Sequence, residues 1–219
     1  MANDIATYLK YANVQMAAEA LFGITLVDAA GTTRTSMSEA SLIRGNDRSS
    51  KFTTTQAAEF ADDWTVVEHI SNTETGFSGT LLRARHSDAA RGIVAGELVM
   101  SFRSTEFADD WARDSVAAND MEIKQKGWAF GQIADMEKWY AHLKTSYGAD
   151  FTNAGNQFSV TGYSLGGHLA TACVRPRRAT ARGLSQPNHY KNRSCSRNIY
   201  GGYSPKTQVK ATQTGNKHA

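Results

Sequence analysis

The sequence predicts an α/β fold: an incomplete sheet with flanking helices, followed by a disordered basic C-terminal tail. Three observations predict it. From residue 64 to 172, short β-branched apolar runs alternate with segments of helical period. The stretch "FSVTGYSLGGHLATA" (158–172) reads as strand, tight turn and helix in succession. The acidic residues then stop, for the last carboxylate side chain in the chain is Asp150. The expected organisation is an N-terminal helical segment (1–63), an α/β unit (64–172) and a basic low-structure tail (173–219).

Residues 3–22 place Ile5, Leu9, Ala12, Met16 and Leu21 at helical spacing, with Asn3 or Asp4 as cap and Gly23 as terminator. Residues 53–61 suggest a second helix capped by Thr53 to Thr55, with Ala57, Ala58 and Phe60 as its apolar positions. "WTVVEHI" (64–70), "GFSGTLLRAR" (76–85) and "GELVMSF" (96–102) read as strands. Residues 127–147 are expected to form a long amphipathic helix on Phe130, Ile133, Met136 or Glu137, Tyr140, Leu143 and Tyr147, with Gly148 as its stop. "QFSVTGY" (157–163) is a short apolar strand. The alternation favours a largely parallel sheet. After 172 the large apolar residues are sparse, all three prolines appear, and no helix face or strand is visible.

Length and composition are those of one globular domain of moderate size: 219 residues, 41% hydrophobic and 21% charged. No run approaches the roughly 18 apolar residues of a membrane span, and "MANDIATYLKYANVQM" lacks the basic start and apolar block of a secretory signal. The net charge of +3 hides an asymmetry: residues 1–172 hold 14 Lys/Arg against all 21 Asp/Glu (−7), and residues 173–219 hold 10 Lys/Arg and no acid (+10). Such a tail gives salt-sensitive contact with nucleic acid or an anionic membrane, but no specific nucleic-acid recognition. The two cysteines, Cys173 and Cys195, could pair.

The chemistry centres on Ser164. A serine hydroxyl becomes a useful nucleophile when it is exposed on a sharp turn and relieved of its proton. Glycines at 162 and 166 remove side chains that would clash at such a turn. The helix that follows aims its first amides at the site, so the Leu165 N–H is placed to donate to an oxyanion.

A second motif, "LVMSFRSTEFADDWARD" (98–114), taken with "VTGYSLGGHLA", resembles the class 3 family of fungal-type triacylglycerol lipases and related phospholipases A1, within the α/β-hydrolase superfamily. In that family a strand ends in Phe-Arg-Gly and Ser or Thr, followed by a short lid and Trp-x-x-Asp. Phe102, Arg103, Ser104 and Thr105 occupy the first part, with Ser104 where the family has glycine; Trp111 and Asp114 occupy the second. The resemblance covers about 64–172. It implies an α/β-hydrolase-like sheet, hydrolysis of lipid carboxylic esters at a lipid–water interface, no cofactor, an oxyanion contact from Thr105, and a lid at 106–111. Thr105 also scans as a helix cap in "STEFADDW", Phe107 and Trp111 as packing residues, and Asp109 and Asp110 as a solvated face without metal-ligand spacing.

In this superfamily the triad runs Ser, acid, His. No Asp or Glu follows Ser164, and the histidines that do are His168, His189 and His218. His168, one turn into the same helix, reads as a packing or capping residue, and the other two lie in the tail. With few elements after the elbow, its strand is expected at or near a sheet edge. A shifted frame or truncation after 172 accounts for the abrupt loss of acids and periodicity. The sequence therefore leaves two readings, an impaired lipase-type serine hydrolase and a non-catalytic lipid-binding remnant.

Overall fold

The computed structural model describes residues 2–20, 22, 25–27, 33–35, 37, 39–45, 51–105, 118, 120–154, 157–174 and 199–201. In chain order these form α1 (Ala2–Ala18), β1 (Thr25–Val27), β2 (Thr33–Thr35), α2 (Glu39–Arg44), α3 (Thr54–Asp63), β3 (Trp64–Ile70), β4 (Gly79–Ala84), β5 (Leu98–Phe102), α4 (Lys124–Lys126), α5 (Phe130–Ser146), α6 (Gly148–Ala154), β6 (Phe158–Gly162), α7 (Leu165–Val174) and β7 (Ile199–Gly201). β1 and β2 make an antiparallel hairpin. The remaining strands form one five-stranded sheet in the order β3-β4-β5-β6-β7. Among the described residues no helix is long and apolar enough to cross a membrane.

The sheet is mixed rather than largely parallel. β3, β4 and β5 pair antiparallel, whereas β5–β6 and β6–β7 pair parallel. The reason lies in the connections: only a handful of residues join β3 to β4, too few for the dozen or more that a parallel crossover needs. The long β5–β6 connection carries α5 and returns the chain in parallel. Among the described residues the strand β6 lies one place in from the edge, near it as expected, with Ile199–Gly201 paired outside it. This strand also corrects the reading of 173–219 as strandless. A register shift between Val66 and Glu68 marks a bulge in the edge strand β3, a device that discourages further edge pairing.

Two apolar layers sandwich the sheet. On one face Leu81, Met100, Phe102 and Val160 pack against Ile133, Met136, Trp139 and Leu143 of α5 and Leu169 of α7. On the other, Leu82, Val99, Trp64 and Val66 pack against Tyr11, Val14 and Ala17 of α1 and Phe60 of α3. α3 begins at Thr53, whose hydroxyl accepts from the Gln56 N–H while the Gln56 side chain accepts from the Thr53 N–H. That reciprocal pair satisfies two otherwise orphaned donors. Ala57 and Phe60 are buried as expected, but Ala58 is exposed.

The helices differ from expectation in face and end. α1 stops at Ala18, short of Gly23, and its presumed apolar face is outward: Ile5 is 72% and Leu9 57% exposed. The buried stripe instead holds Lys10, Tyr11, Val14, Gln15, Ala17 and Ala18. Its polar members are buried because the sheet presents hydroxyls to them: Tyr11 Oη bonds Ser159 Oγ at 2.8 Å, and Gln15 Nε2 donates to Thr161 Oγ1 at 2.6 Å. Lys10 reaches the Glu97 carboxylate at 3.0 Å, with both side chains buried. In α5, Phe130 at the N-terminus is 49% exposed. Gly148 does not stop the chain but opens α6, while the turn is made at Tyr147, whose N–H bonds the Leu143 carbonyl.

Candidate active site

The carboxyl ends of parallel strands are where an α/β sheet leaves room for chemistry. β5 and β6 are adjacent and parallel, with Phe102 paired to Gly162. The residues that follow, Arg103-Ser104-Thr105 and Tyr163-Ser164-Leu165, therefore leave the same edge of the sheet side by side.

Between β6 and α7 the chain turns within two residues. Ser164 adopts φ 52°, and among the described residues it is the one non-glycine with positive φ. An L-residue in that region is strained by its Cβ, and such strain concentrates at functional turns. The strain persists because the neighbours over-determine the turn. A side chain at Gly162 would stand 2.8 Å from the Gly167 nitrogen, and closer still to the Gly166 carbonyl. One at Gly166 would stand 2.8 Å from the Arg103 carbonyl oxygen, and closer still to that of Phe102. Both glycines are thus required by backbone approach. The second locks the first turn of α7 directly against the segment leading to Thr105.

Ser164 is exposed, Leu165 buried and Thr105 half-buried. The Ser164 carbonyl accepts from the His168 N–H at 3.1 Å, so Ser164 is the N-cap of α7 and Leu165 its first residue. The amides of that first turn have no intrahelical acceptor and point, with the positive end of the helix dipole, at the edge where Ser164 sits. Leu165 packs with Ala118, Ala129 and Ile123.

His168 is a packing residue. Its ring lies 5.1 Å from that of Trp128, and its Nε2 accepts from the Ala129 N–H at 3.3 Å. Burial pushes its pKa down, which keeps the imidazole neutral. The acceptor nitrogen is thereby engaged away from Ser164. His189, His218, Cys195, Phe107, Asp109, Asp110, Trp111, Asp114 and the expected lid 106–111 lie outside the described residues.

Two groups at this edge, Glu19 and His69, escaped the sequence reading, and Arg103 entered it only as a motif position. Glu19, 2% exposed just past the end of α1, accepts from the Ser104 N–H at 2.8 Å. Arg103 is buried, and its N–H donates to the Ser78 carbonyl at 3.1 Å. His69 bonds Thr80 Oγ1 at 2.9 Å and meets the Phe22 ring edge-on at 5.4 Å. Its pKa is lowered to about 4, first by burial and then by the Arg103 guanidinium. The signal for Glu19 was its i, i+4, i+8 spacing with Tyr11 and Gln15, a stripe on one side of α1.

A separate cluster, Asp62, Asp63 and His86, brings three potential ligand atoms within 4.8 Å of one another. Asp63 there already binds both His86 and Arg91. A guanidinium at that carboxylate opposes a cation, so the cluster reads as a structural ion network.

No family model matches the sequence, and no curated protein matches it. Similar solved structures are fungal-type lipases. One is a fungal lipase–inhibitor complex described as a model for interfacial activation: 12% identity, TM-score 0.46, covering 79% of this chain and 54% of that one. Another is a triacylglycerol lipase whose catalytic centre is a serine-protease triad: 14% identity, TM-score 0.43, covering 79% and 54%. A third is the Rhizomucor miehei lipase in complex with its propeptide: 15% identity, TM-score 0.39, covering 79% and 45%. The chain spans about half the length of these structures.

Proposed function

We propose that this chain is a lipase-type serine hydrolase acting on carboxylic esters of lipids, with Ser164 as nucleophile. The observation that carries the reading is the strained, exposed Ser164 at φ 52°, held between two glycines where any side chain would force the backbone apart. Ordinary turns relax into glycine or asparagine; a serine kept there at a cost of about 1–3 kcal/mol is kept for its hydroxyl. The resemblance of 98–105 and 158–172 to class 3 lipases supports the same reading.

In the proposed step, Ser164 Oγ attacks the ester carbonyl, forming the C–O bond while its proton passes to a base. The carbonyl π electrons move to oxygen, where the Leu165 N–H and Thr105 stabilise the charge. Collapse breaks the ester C–O bond, and the leaving alkoxide takes that proton back to depart as the alcohol; water then attacks the acyl-enzyme in the same way, releasing the carboxylic acid and restoring the Ser164 hydroxyl. The lipid–water interface is the proposed location of the substrate. A second reading, a lipid-binding module without turnover, is favoured by the engagement of His168 with Ala129 and by the lack of any acid after Ser164. Loss of the orienting acid alone lowers rate by about 10⁴-fold.

Labelling with a fluorophosphonate and turnover of short-chain p-nitrophenyl esters, compared with Ser164→Ala, separate the two. Labelling and hydrolysis that vanish in the variant support the enzyme. Hydrolysis equal in both proteins refutes it.

A further inference from the structure

We propose that Glu19 is a positioning residue for the oxyanion-binding stretch Ser104–Thr105, acting through its own contact with the Ser104 amide, while Tyr11 and Gln15 only dock α1 on β6. The proposal rests on the reading of Ser164 as nucleophile. The three residues are four apart and share one side of α1 and the turn that follows it. Tyr11 and Gln15 bond β6 at successive levels, Ser159 and Thr161, and Glu19, just past α1, bonds the Ser104 amide two residues beyond the end of β5. Ser159 and Thr161 are two apart, on one face of β6. Four residues of helix advance ~6 Å and two of strand ~6.6 Å, so these two bonds stay in step. The next level beyond Thr161 is the edge where Ser164 and Thr105 emerge.

Glu19 acts beyond those two bonds, and on backbone. Its Oε1 accepts from the Ser104 N–H at 2.8 Å while the neighbouring Arg103 N–H is held by Ser78 of the segment entering β4. Two successive amides before Thr105 are fixed from opposite sides, one by the sheet and one by α1. A carboxylate acceptor makes the stronger, shorter kind of hydrogen bond, and its burial fixes the geometry further. A donor aimed at developing charge is effective only when it is held in place before the reaction. Thr105 is held through Ser104.

The test uses the full chain and three variants, with two readouts: the fluorophosphonate labelling rate of Ser164 and amide hydrogen exchange at Ser104 by NMR. Glu19→Met fills the same space without an acceptor, Glu19→Gln retains an acceptor oxygen, and Tyr11→Phe removes a docking bond remote from the loop. Glu19→Met is expected to slow labelling by ~10- to 100-fold and to speed Ser104 exchange. Glu19→Gln returns both to within about threefold of wild type, and Tyr11→Phe lowers the melting temperature with both readouts unchanged. Equal labelling in Glu19→Met and wild type, or equal slowing in Tyr11→Phe, overturns the proposal. A wild-type chain that does not label refutes the hydrolase reading instead. Exchange then still judges the Glu19 contact, which fails if Ser104 exchanges as fast in wild type as in Glu19→Met. Should Glu19→Met not fold, an unprotected Ser104 amide in the wild-type chain overturns the contact and a protected one supports it.

Discussion

Gly166→Ala tests the seating of the elbow helix on β5. The added methyl would meet the Arg103 carbonyl oxygen at 2.8 Å, where ordinary contact begins at 3.4 Å, and it would approach the Phe102 oxygen closer still. Both obstacles are backbone atoms: Phe102 ends a strand paired on two sides, and Arg103 follows it directly with its N–H bonded to the Ser78 carbonyl, so neither rotates away freely. α7 must therefore withdraw from β5 by at least 0.6 Å, the difference between those two distances. Overpacking of this kind costs ~1–3 kcal/mol, and the helix preference of alanine over glycine returns up to ~1. A net loss of about 2 kcal/mol lowers the melting temperature by roughly 4–8 °C for a chain of this size. Thermal unfolding by circular dichroism measures it directly. Gly148→Ala is the control, since a side chain there meets nothing within 4 Å. The same withdrawal shifts the Leu165 amide against Thr105 and slows Ser164 labelling ~10-fold or more. If Gly166→Ala melts with Gly148→Ala, α7 is not seated as described and the elbow argument fails, whatever the activity.

Ser164→Gly abolishes labelling yet leaves stability unchanged or raises it by up to ~1 kcal/mol, because glycine accepts φ 52° without the Cβ cost; a clear drop in melting temperature contradicts the strain. His69, lowered to about 4, takes up a proton in the unfolded chain near pH 6.5 but in the folded one only near 4. The native state is therefore favoured above 6.5 and loses about 3 kcal/mol as pH falls from 6.5 to 4. Denaturant titrations across that window should show His69→Gln flattening the slope, and an unchanged slope refutes it. Lys10→Met leaves the Glu97 carboxylate buried without its cation and costs about 3–5 kcal/mol; urea unfolding checks this, and Glu97→Gln added to it should recover part of the loss. The labelling rate of Ser164 should rise ~10-fold per pH unit from 6 to 9, as for a hydroxyl without an imidazole base. A plateau near 6.5 would instead assign the base to His189 or His218.

The elements most legible in the sequence were those whose periodicity matched their packing. α5 follows its Ile133, Met136, Tyr140 and Leu143 spacing because all four reach one apolar layer. Thr53 caps α3 with chemistry that is local to four residues. The elbow was legible for the same reason: Gly162, Ser164 and Gly166 sit within five residues, and their demands on the backbone are local too. α1 was misread because hydrophobicity was equated with burial. The face of β6 beneath it carries Ser159 and Thr161, so the helix buries Tyr11 and Gln15 and turns Ile5 and Leu9 outward. That outcome depends on a strand nearly 150 residues further along the chain, which no window over α1 contains. The mixed direction of the sheet was recoverable, since the β3–β4 link is too short for a crossover. For Glu19 the spacing with Tyr11 and Gln15 marked its side of α1 but not its role, which exists only once Ser104 has been brought to it across 85 residues.

The site thus separates into a part that geometry supplies and a part that it does not. The described histidines each have a partner elsewhere: His69 with Thr80, His86 with Asp63, His142 with Glu68, and His168 with the Ala129 amide. In the proposed reaction, turn strain, helix amides and the braced 103–105 stretch would act on the oxyanion and on the placement of Oγ, and none of them would remove its proton. Oxyanion stabilisation and binding alone sustain a residual ~10³–10⁴-fold acceleration over water in hydrolases stripped of their triad. If Ser164 is the nucleophile, such a turn is therefore chemically useful even at low basicity, and a phosphonate, the stronger electrophile, should report on it more sensitively than an ester.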